Sequence, residues 1–515
     1  MNHSHILEES ELLTHGSSFG FPLACGEDTY KRMLESPLTC STTVLQQRQN
    51  EVHILREHPD LISTILEEAT QLKPYETMLR DHQPNETTKT AESQIFFTGE
   101  HTKGLNAIPY VLTICVFCKV WIAPALALLT PLILACMPYI VLTTVMDMQI
   151  TWDTYTTMMK QMVFGVQAGE PWKMKHYGQA IWTLISLGQS MITPFVTAYH
   201  TNNLDETICK RGDALLRFAD FTKQTHGSLQ KIGLLKGDQW TCPELPSDPR
   251  EAAAWMDTEP LGMRQLQRIA GYCILLTTLA HDDSWHSVEW TGSHTPLYLT
   301  ECHDLAIPST RAVRSNLALE THSLLTGPNR GGKSSSLRAI LQQVLLGQTF
   351  GFTKGSYGSW KPFQQIFTRL KSRDTAGKES LFEMEVRFAS TILQAIKTRK
   401  HSLVCIDELF HSTNPPDAEI SATMFLKQLW TYDSCKSIIS THIFKLCEIP
   451  QPIPLQTLCC DASINPDESI KYSYTLTNGI CRVSSVREVL EEAKLIPRQT
   501  KSALKPELKK TPDQQ

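Results

Sequence analysis

A basic field is missing from this chain. Its 48 Lys and Arg are outnumbered by 53 Asp and Glu, which gives a formal net charge of −5 and a pI near 6.4. That balance excludes nucleic-acid binding through overall charge, so any such surface must be local. A disulfide-type cysteine pattern is missing too. The 15 cysteines are odd in number and mostly isolated, which excludes a disulfide ladder and points to reduced thiols. Cys115 and Cys118 form a C-x-x-C inside an apolar run with no second pair nearby, so a zinc site is not expected there. The opening MNHSHILEESELL has no basic stretch leading into an apolar one, and a signal peptide is not expected.

Charge itself is absent from a long stretch. Between Gly104 and Met146 the only charged residue is Lys119, and Val120 to Met146 is wholly uncharged. Such a run exceeds the ~20 residues that cross a bilayer, and Pro124, Pro131 and Pro138, which would break a soluble helix, are tolerated in membrane helices. The reading is a membrane segment, with a buried hairpin in a large helical domain as the alternative. Tyr177 to Tyr199 is a second uncharged segment, richer in Gln, Ser, Thr and Gly. If the two ends of the chain share one compartment, the crossings must be even in number. A tight hairpin within 105–146 leaves almost nothing for its turn, which favours one crossing near 121–146 and a return near 177–199.

What is present is enough for two to four domains at ~150 residues each, with 41% hydrophobic residues to build cores. Residues 1–27 are polar and Gly-dotted and read as a flexible leader. Residues 28–103 carry helical periodicity, with Leu45, Val52, Leu55, Leu61, Ile62 and Ile65 inward. Residues 104–200 hold the apolar segments, and 201–285 are helical again. From 286 the period shortens to strands, at Val288, Trp290, Leu297, Leu299, Leu317 and Leu319, opening an α/β domain over 286–497. Residues 498–515 form a polar, Lys-rich tail expected to be disordered. The triplet Asn85-Glu86-Thr87 is a glycosylation sequon to which no role is assigned.

The chemistry centres on SLLTGPNRGGKSSSLRAILQQVLLG. Gly327, Gly332, Lys333 and Ser334 fit G-x-x-x-x-G-K-[ST], after a short apolar strand and before Leu337, Ile340, Leu341, Val344 and Leu345, the stripe of a helix buried on one face. A loop so placed aims backbone N–H groups and a helix dipole at a polyphosphate. Lys333 is expected on the β and γ phosphates of ATP and Ser334 on Mg2+. The run Leu403 to Ile406 ends in Asp407 and Glu408, a metal-serving carboxylate beside one that polarises the attacking water. A second strand, Lys436 to Ser440, ends in Thr441-His442, which places His442 at the ligand crevice of an open sheet. Glu408, His442 and Lys333 are therefore the catalytic candidates, and Ser334 and Asp407 the metal candidates.

These motifs resemble those of the MutS family of mismatch-repair ATPases. GPNRGGKSS is similar to its phosphate loop, which implies nucleotide contacts from Gly327, Pro328, Asn329, Arg330, Gly331, Gly332, Lys333, Ser334 and Ser335. LVCIDELFHSTNPPDA resembles its carboxylate strand and following turn, with Phe410-His411-Ser412 in place of the usual Gly-Arg-Gly. ISTHIFKL resembles its strand end carrying His, and YSYTLTNGICRVSS its closing hairpin. The segment IFTRLKSRDTAGKESLFEMEV resembles the loop whose Ser acts on the partner's ATP, which makes Ser380 the trans residue. Upstream, SPLTCSTTVLQQRQNEV is similar to the opening of the family's helical core.

The fold class that follows is multidomain: an α-helical core and lever region with transmembrane helices, then an α/β P-loop NTPase domain, ABC-ATPase-like and of MutS type. The resemblance implies ATP and Mg2+ as cofactors, a homodimer or a heterodimer with a MutS-like subunit, and DNA as a partner. With about 28 residues before the core, no mismatch-reading domain is expected. The alternative is a membrane-anchored nucleotide switch that acts on a protein or lipid without DNA. A transporter-type ATPase would need a Gly-rich signature before Asp407, and no glycine lies between Ser380 and Lys400. The ATPase part is expected to face cytosol or nucleus from a membrane, or else to be soluble in one of them.

Overall fold

The computed structural model describes residues 3–15, 19–81, 86–164, 174–292, 295–371, 380–449, 455–465 and 469–496. The chain forms two compact units, one made of residues 1–66 and 271–515, the other of 67–270. The division falls within two helices, Pro59–Asp81 and Pro260–His281. The sequon's Asn85 and the tail from 497 lie outside the described residues.

The first unit is built on a six-stranded sheet in the order Ile470–Asn478, Gln456–Ile464, His322–Thr326, Cys435–Ser440, Ser402–Ile406, Gln365–Arg369. All its pairs are parallel except that of 456–464 with 470–478. The three strands that bear motifs are buried along their whole length, as near-continuous apolar runs between covered faces require. A four-stranded sheet in the order Glu289–Trp290, Tyr357–Trp360, Leu297–Cys302, Ser315–Leu319 confirms the strand period seen from residue 286. The chain is thus helical toward its N-terminus and mixed α/β toward its C-terminus.

Helix Lys333–Phe350 departs from the expected one-sided stripe, because from Ala339 onward it is buried all round. Its polar face is occupied by Gln342, Gln343 and Gln348, whose amides satisfy the backbone of crossing segments. Gln342 donates to Ser10 O (2.9 Å) and accepts from Leu305 N (2.9 Å). Gln343 accepts from Lys354 N (2.9 Å) and donates to Lys354 O (3.0 Å). Gln348 does the same with Phe363 N and O, at 2.9 Å each. A buried amide with both ends paired costs little, which lets a polar residue occupy the core.

The leader is not loose where it is described. Helices His3–Ser10 and Ala24–Glu35 bury Ile6, Leu7 and Leu34, and Leu12 and Leu23 between them are also buried. Glu9 accepts from Thr368 Oγ1 (2.7 Å), and Arg338 joins Asp304 (2.6 Å) to Glu11 (3.2 Å). Tyr30 stacks on Phe350 with ring centroids 5.2 Å apart. A few well-spaced apolar residues in a polar stretch were enough to dock it.

The second unit is helical. Residues 111–145 run as one rod, Val111–Phe117, Cys118–Ile122, Ala123–Ile140 and Val141–Val145, with wider π turns before Pro124 and after Pro138. The second apolar segment is the first part of a single 58-residue helix, Met174–Lys231, rather than a separate element. Near its middle, Arg250 grips Asp205 through two bonds of 2.6 and 2.9 Å, and buried Arg211 meets buried Glu92 at 2.6 Å. Asp248 caps helix Pro249–Thr258 by accepting from Arg250 N, with Pro249 in its first turn.

Candidate active site

The phosphate loop joins strand His322–Thr326 to helix Lys333–Phe350. Two glycines make its path possible. Gly332 caps the helix at φ +98°, a left-handed conformation that side chains resist. At Gly327 a Cβ would lie 3.0 Å from the carbonyl oxygen of Cys460 on the neighbouring strand. Arg330, at φ +66°, points its guanidinium out to Glu492, 2.5 Å away.

Lys333 is buried, and its ammonium donates to the carbonyls of Gly327 (3.0 Å) and Pro328 (3.1 Å). Burial lowers its pKa, and the carboxylates of Asp407 and Glu408 oppose that. The cation is therefore held inside the loop's curl, facing the negative end of the site.

Those carboxylates end strand Ser402–Ile406. One strand, Cys435–Ser440, lies between it and the phosphate-loop strand, and Ser440 fixes both acids at once. Its hydroxyl donates to Asp407 Oδ1 and accepts from the Glu408 N–H (2.8 Å). Glu408 sits at φ +52°, strain of the kind that clusters at functional positions. Its carboxylate lies 3.0 Å from His442 Nε2. That hydrogen bond is the main cause holding its pKa below the ordinary glutamate value, with the charges of His442, Lys333 and His411 acting the same way against desolvation. A group with a lowered pKa stays ionised until the pH falls through that lowered value. In His442→Ala the acid limb of ATP turnover should therefore move to higher pH, as a pH–rate profile would show. An unmoved limb would mean that the pair does not govern the rate.

Behind this edge, buried Glu385 accepts from Ser412 Oγ (2.7 Å) and faces His411 Nδ1 (3.0 Å) and Arg369 (3.5 Å). His411 Nδ1 also lies 3.0 Å from the carbonyl oxygen of Glu408. The residues that replace Gly-Arg-Gly thus tie the turn after Glu408 to helix Leu381–Ile396. Ser380 begins that helix as its N-cap, accepting from Glu383 N (3.2 Å) while Glu383 accepts from Ser380 N.

A cavity of about 620 Å³ opens over the loop, within the range of nucleotide-sized pockets. Pro328, Asn329, Arg330, Gly331, Gly332, Lys333, Ser334 and Ser335 line it, with Glu408 opposite. Gly327 lies just behind, under the Lys333 ammonium; His442 meets Glu408 directly, and Asp407 is joined to it by two hydrogen bonds through Ser440. Ser380 is not among the lining residues. Sequence reasoning missed Ser440, Glu385, and the far wall made by His303, Arg311, Val313, Tyr474 and Leu476. Only the Ser before Thr441-His442 offered a signal, as a hydroxyl at a strand end. Tyr474, at φ +57°, lays its ring edge near Gly332, and Tyr472 stacks beside it with centroids 5.7 Å apart.

Comparison with known proteins agrees with this geometry. Residues 323–506 match the family model described as MutS domain V. Over 180 residues the chain is 32% identical to the DNA mismatch repair protein MSH1, mitochondrial, of Arabidopsis thaliana, a stretch that covers 35% of this chain and 16% of that relative. The chain thus aligns with about a sixth of the relative's length. The C-terminal region of this protein is MutS-like, with residues 323–506 corresponding to MutS domain V.

Proposed function

We propose that this protein is a MutS-type ATPase that binds and hydrolyses ATP in the cavity over residues 327–335 and uses the nucleotide to switch a dimer, in a process related to DNA mismatch repair or DNA-structure processing. One observation carries the reading: Lys333 and Glu408 face one nucleotide-sized cavity, with Asp407 beside Glu408 and with Ser440 and His442 orienting the carboxylates. Lys333 and the loop N–H groups bind the phosphates, Tyr474 and the 302–315 segment offer the base side, and Glu408 takes the proton of the attacking water. Magnesium fits the donors: Ser334 has a hydroxyl in the cavity and Asp407 a carboxylate next to the lining Glu408, and these two would hold the ion. When bound it neutralises phosphate charge. Ser380, outside this cavity, is read as the residue that reaches the ATP of a partner subunit.

A second reading, a nucleotide switch held at a membrane and acting on a protein or lipid, is favoured by the exposed apolar helices of the second unit. In either reading the ATPase unit faces the compartment that supplies ATP, cytosol or nucleus. The test is the ATPase rate of detergent-purified protein with single-stranded, duplex, mismatched and branched DNA at two salt concentrations, and with lipid vesicles. Stimulation by one DNA form that falls with salt is expected for the first reading. A rate indifferent to all DNA but changed by lipid supports the second, and absence of turnover under every condition overturns both.

A further inference from the structure

The apolar helices of the second unit are arranged with two levels of aromatic residues. Leu112 and Val116 of the first rod share a buried cluster with Ile208, with Val120 and Leu204 packed on it. The rods therefore run antiparallel from a common base, with the sum of facing residue numbers staying constant. Counting outward at equal rise brings Trp121 level with Tyr199, and Tyr139 level with Trp182. At ~1.5 Å per residue the two levels are ~26 Å apart along either rod, close to the ~30 Å thickness of a bilayer's hydrocarbon core.

Between these levels many exposed side chains are apolar, more densely on the first rod than on the second, where Ser186, Gln189, Ser190 and Thr193 are exposed too. Leu126, Leu128, Leu129, Leu132, Ile133 and Met137 are all exposed on one rod, and Ile185, Ile192, Phe195 and Val196 on the other. A core helix of a soluble unit would be covered, so exposure argues against burial within protein as the reason for this composition. Three of the four aromatic residues are open, with Trp121 67%, Tyr199 66% and Trp182 72% exposed, as ring side chains at a membrane–water boundary would be, while Tyr139 is half-buried. Charge respects the same boundaries. Lys119 lies on the base side of Trp121, where its ammonium donates to Gln94 O, and Asp147 follows the far end of the rod at Val145. At that far end Trp152 and Tyr155 close on Tyr139, with centroids 4.9 and 5.2 Å away, and the Tyr155 hydroxyl donates to Ala135 O (2.6 Å).

We infer that residues 121–139 and 182–199 cross a lipid bilayer as a two-pass hairpin, placing the turn at 147–151 on one side and both the N-terminal residues and the ATPase region on the other. This rests on the membrane-held reading of the protein and specifies its partner as a bilayer spanned through its full depth. The occupant is lipid because the exposed apolar side chains of both rods, uninterrupted by any charge, span the bilayer's thickness and are edged by aromatics at each end.

The experiment uses the full chain in sealed vesicles, with a specific protease site inserted in the turn at 147–151 in one version and after Ile496 in another. After an alkaline carbonate wash the protein should stay with the membrane. Protease added outside should cut one version and spare the other until detergent is added. Release by the wash overturns membrane attachment altogether. Retention with both versions cut from the same side overturns the two-pass hairpin while leaving attachment standing. A Lys333→Ala version should show the same cutting pattern, since the crossing depends on lipid and not on nucleotide; a changed pattern would overturn that independence.

Discussion

Lys333→Ala should abolish measurable ATP binding. The ammonium is the only cation buried within the phosphate loop among the described residues, and its two acceptors there are loop carbonyls. Charge-assisted hydrogen bonds contribute about 1.5–3 kcal/mol each, so losing contacts to two phosphates corresponds to ~10²–10⁴ in Kd. Titration with a fluorescent ATP analogue would read this directly. Thermal unfolding of the same variant would show whether the loop survives, because the alanine also removes the bonds to Gly327 and Pro328. Binding within a few fold of the parent chain, in a folded variant, would remove Lys333 from the site.

Glu408→Gln should separate binding from hydrolysis. The amide keeps the size of the carboxylate and can still meet His442, but it cannot accept a proton from water. General-base catalysis is worth ~10²–10⁴ in rate, so kcat should fall by that much while nucleotide affinity changes little. Single-turnover measurement would distinguish a slowed chemical step from slowed release. Unchanged turnover would refute the assignment and turn attention to Asp407, its neighbour under Ser440.

The glycine-rich loop and the carboxylate pair were legible because each is local. A phosphate loop needs its glycines and lysine within a few residues, and a carboxylate pair at the end of an apolar run says where the strand stops. Ser440 was not legible as a ligand of both acids, because its role depends on strand 435–440 lying between 322–326 and 402–406, and sheet order is not written in local pattern. The same reason hid the cavity's far wall, where Tyr474 arrives from a hairpin well over a hundred residues downstream of Lys333. The N-terminal residues misled through composition. Averaged over the segment they look solvated, but Ile6, Leu7 and Leu12 fall on buried positions. The apolar rods were visible as composition, whereas the continuity of 174–231 was not, because polarity changes near residue 200 while helical conformation does not.

The three paired glutamines on helix Lys333–Phe350 have a mechanical consequence. Each fastens the helix to a different segment, at Ser10 and Leu305, at Lys354, and at Phe363. Sliding or turning it by one residue would break all of these bonds inside a dry core, at a cost of several kcal/mol, which is comparable with a domain's whole stability. The helix is thus built as a stator: under the proposed function, ATP bound at its N-terminus would meet a fixed axle, and the stroke would fall to whatever is fastened more lightly.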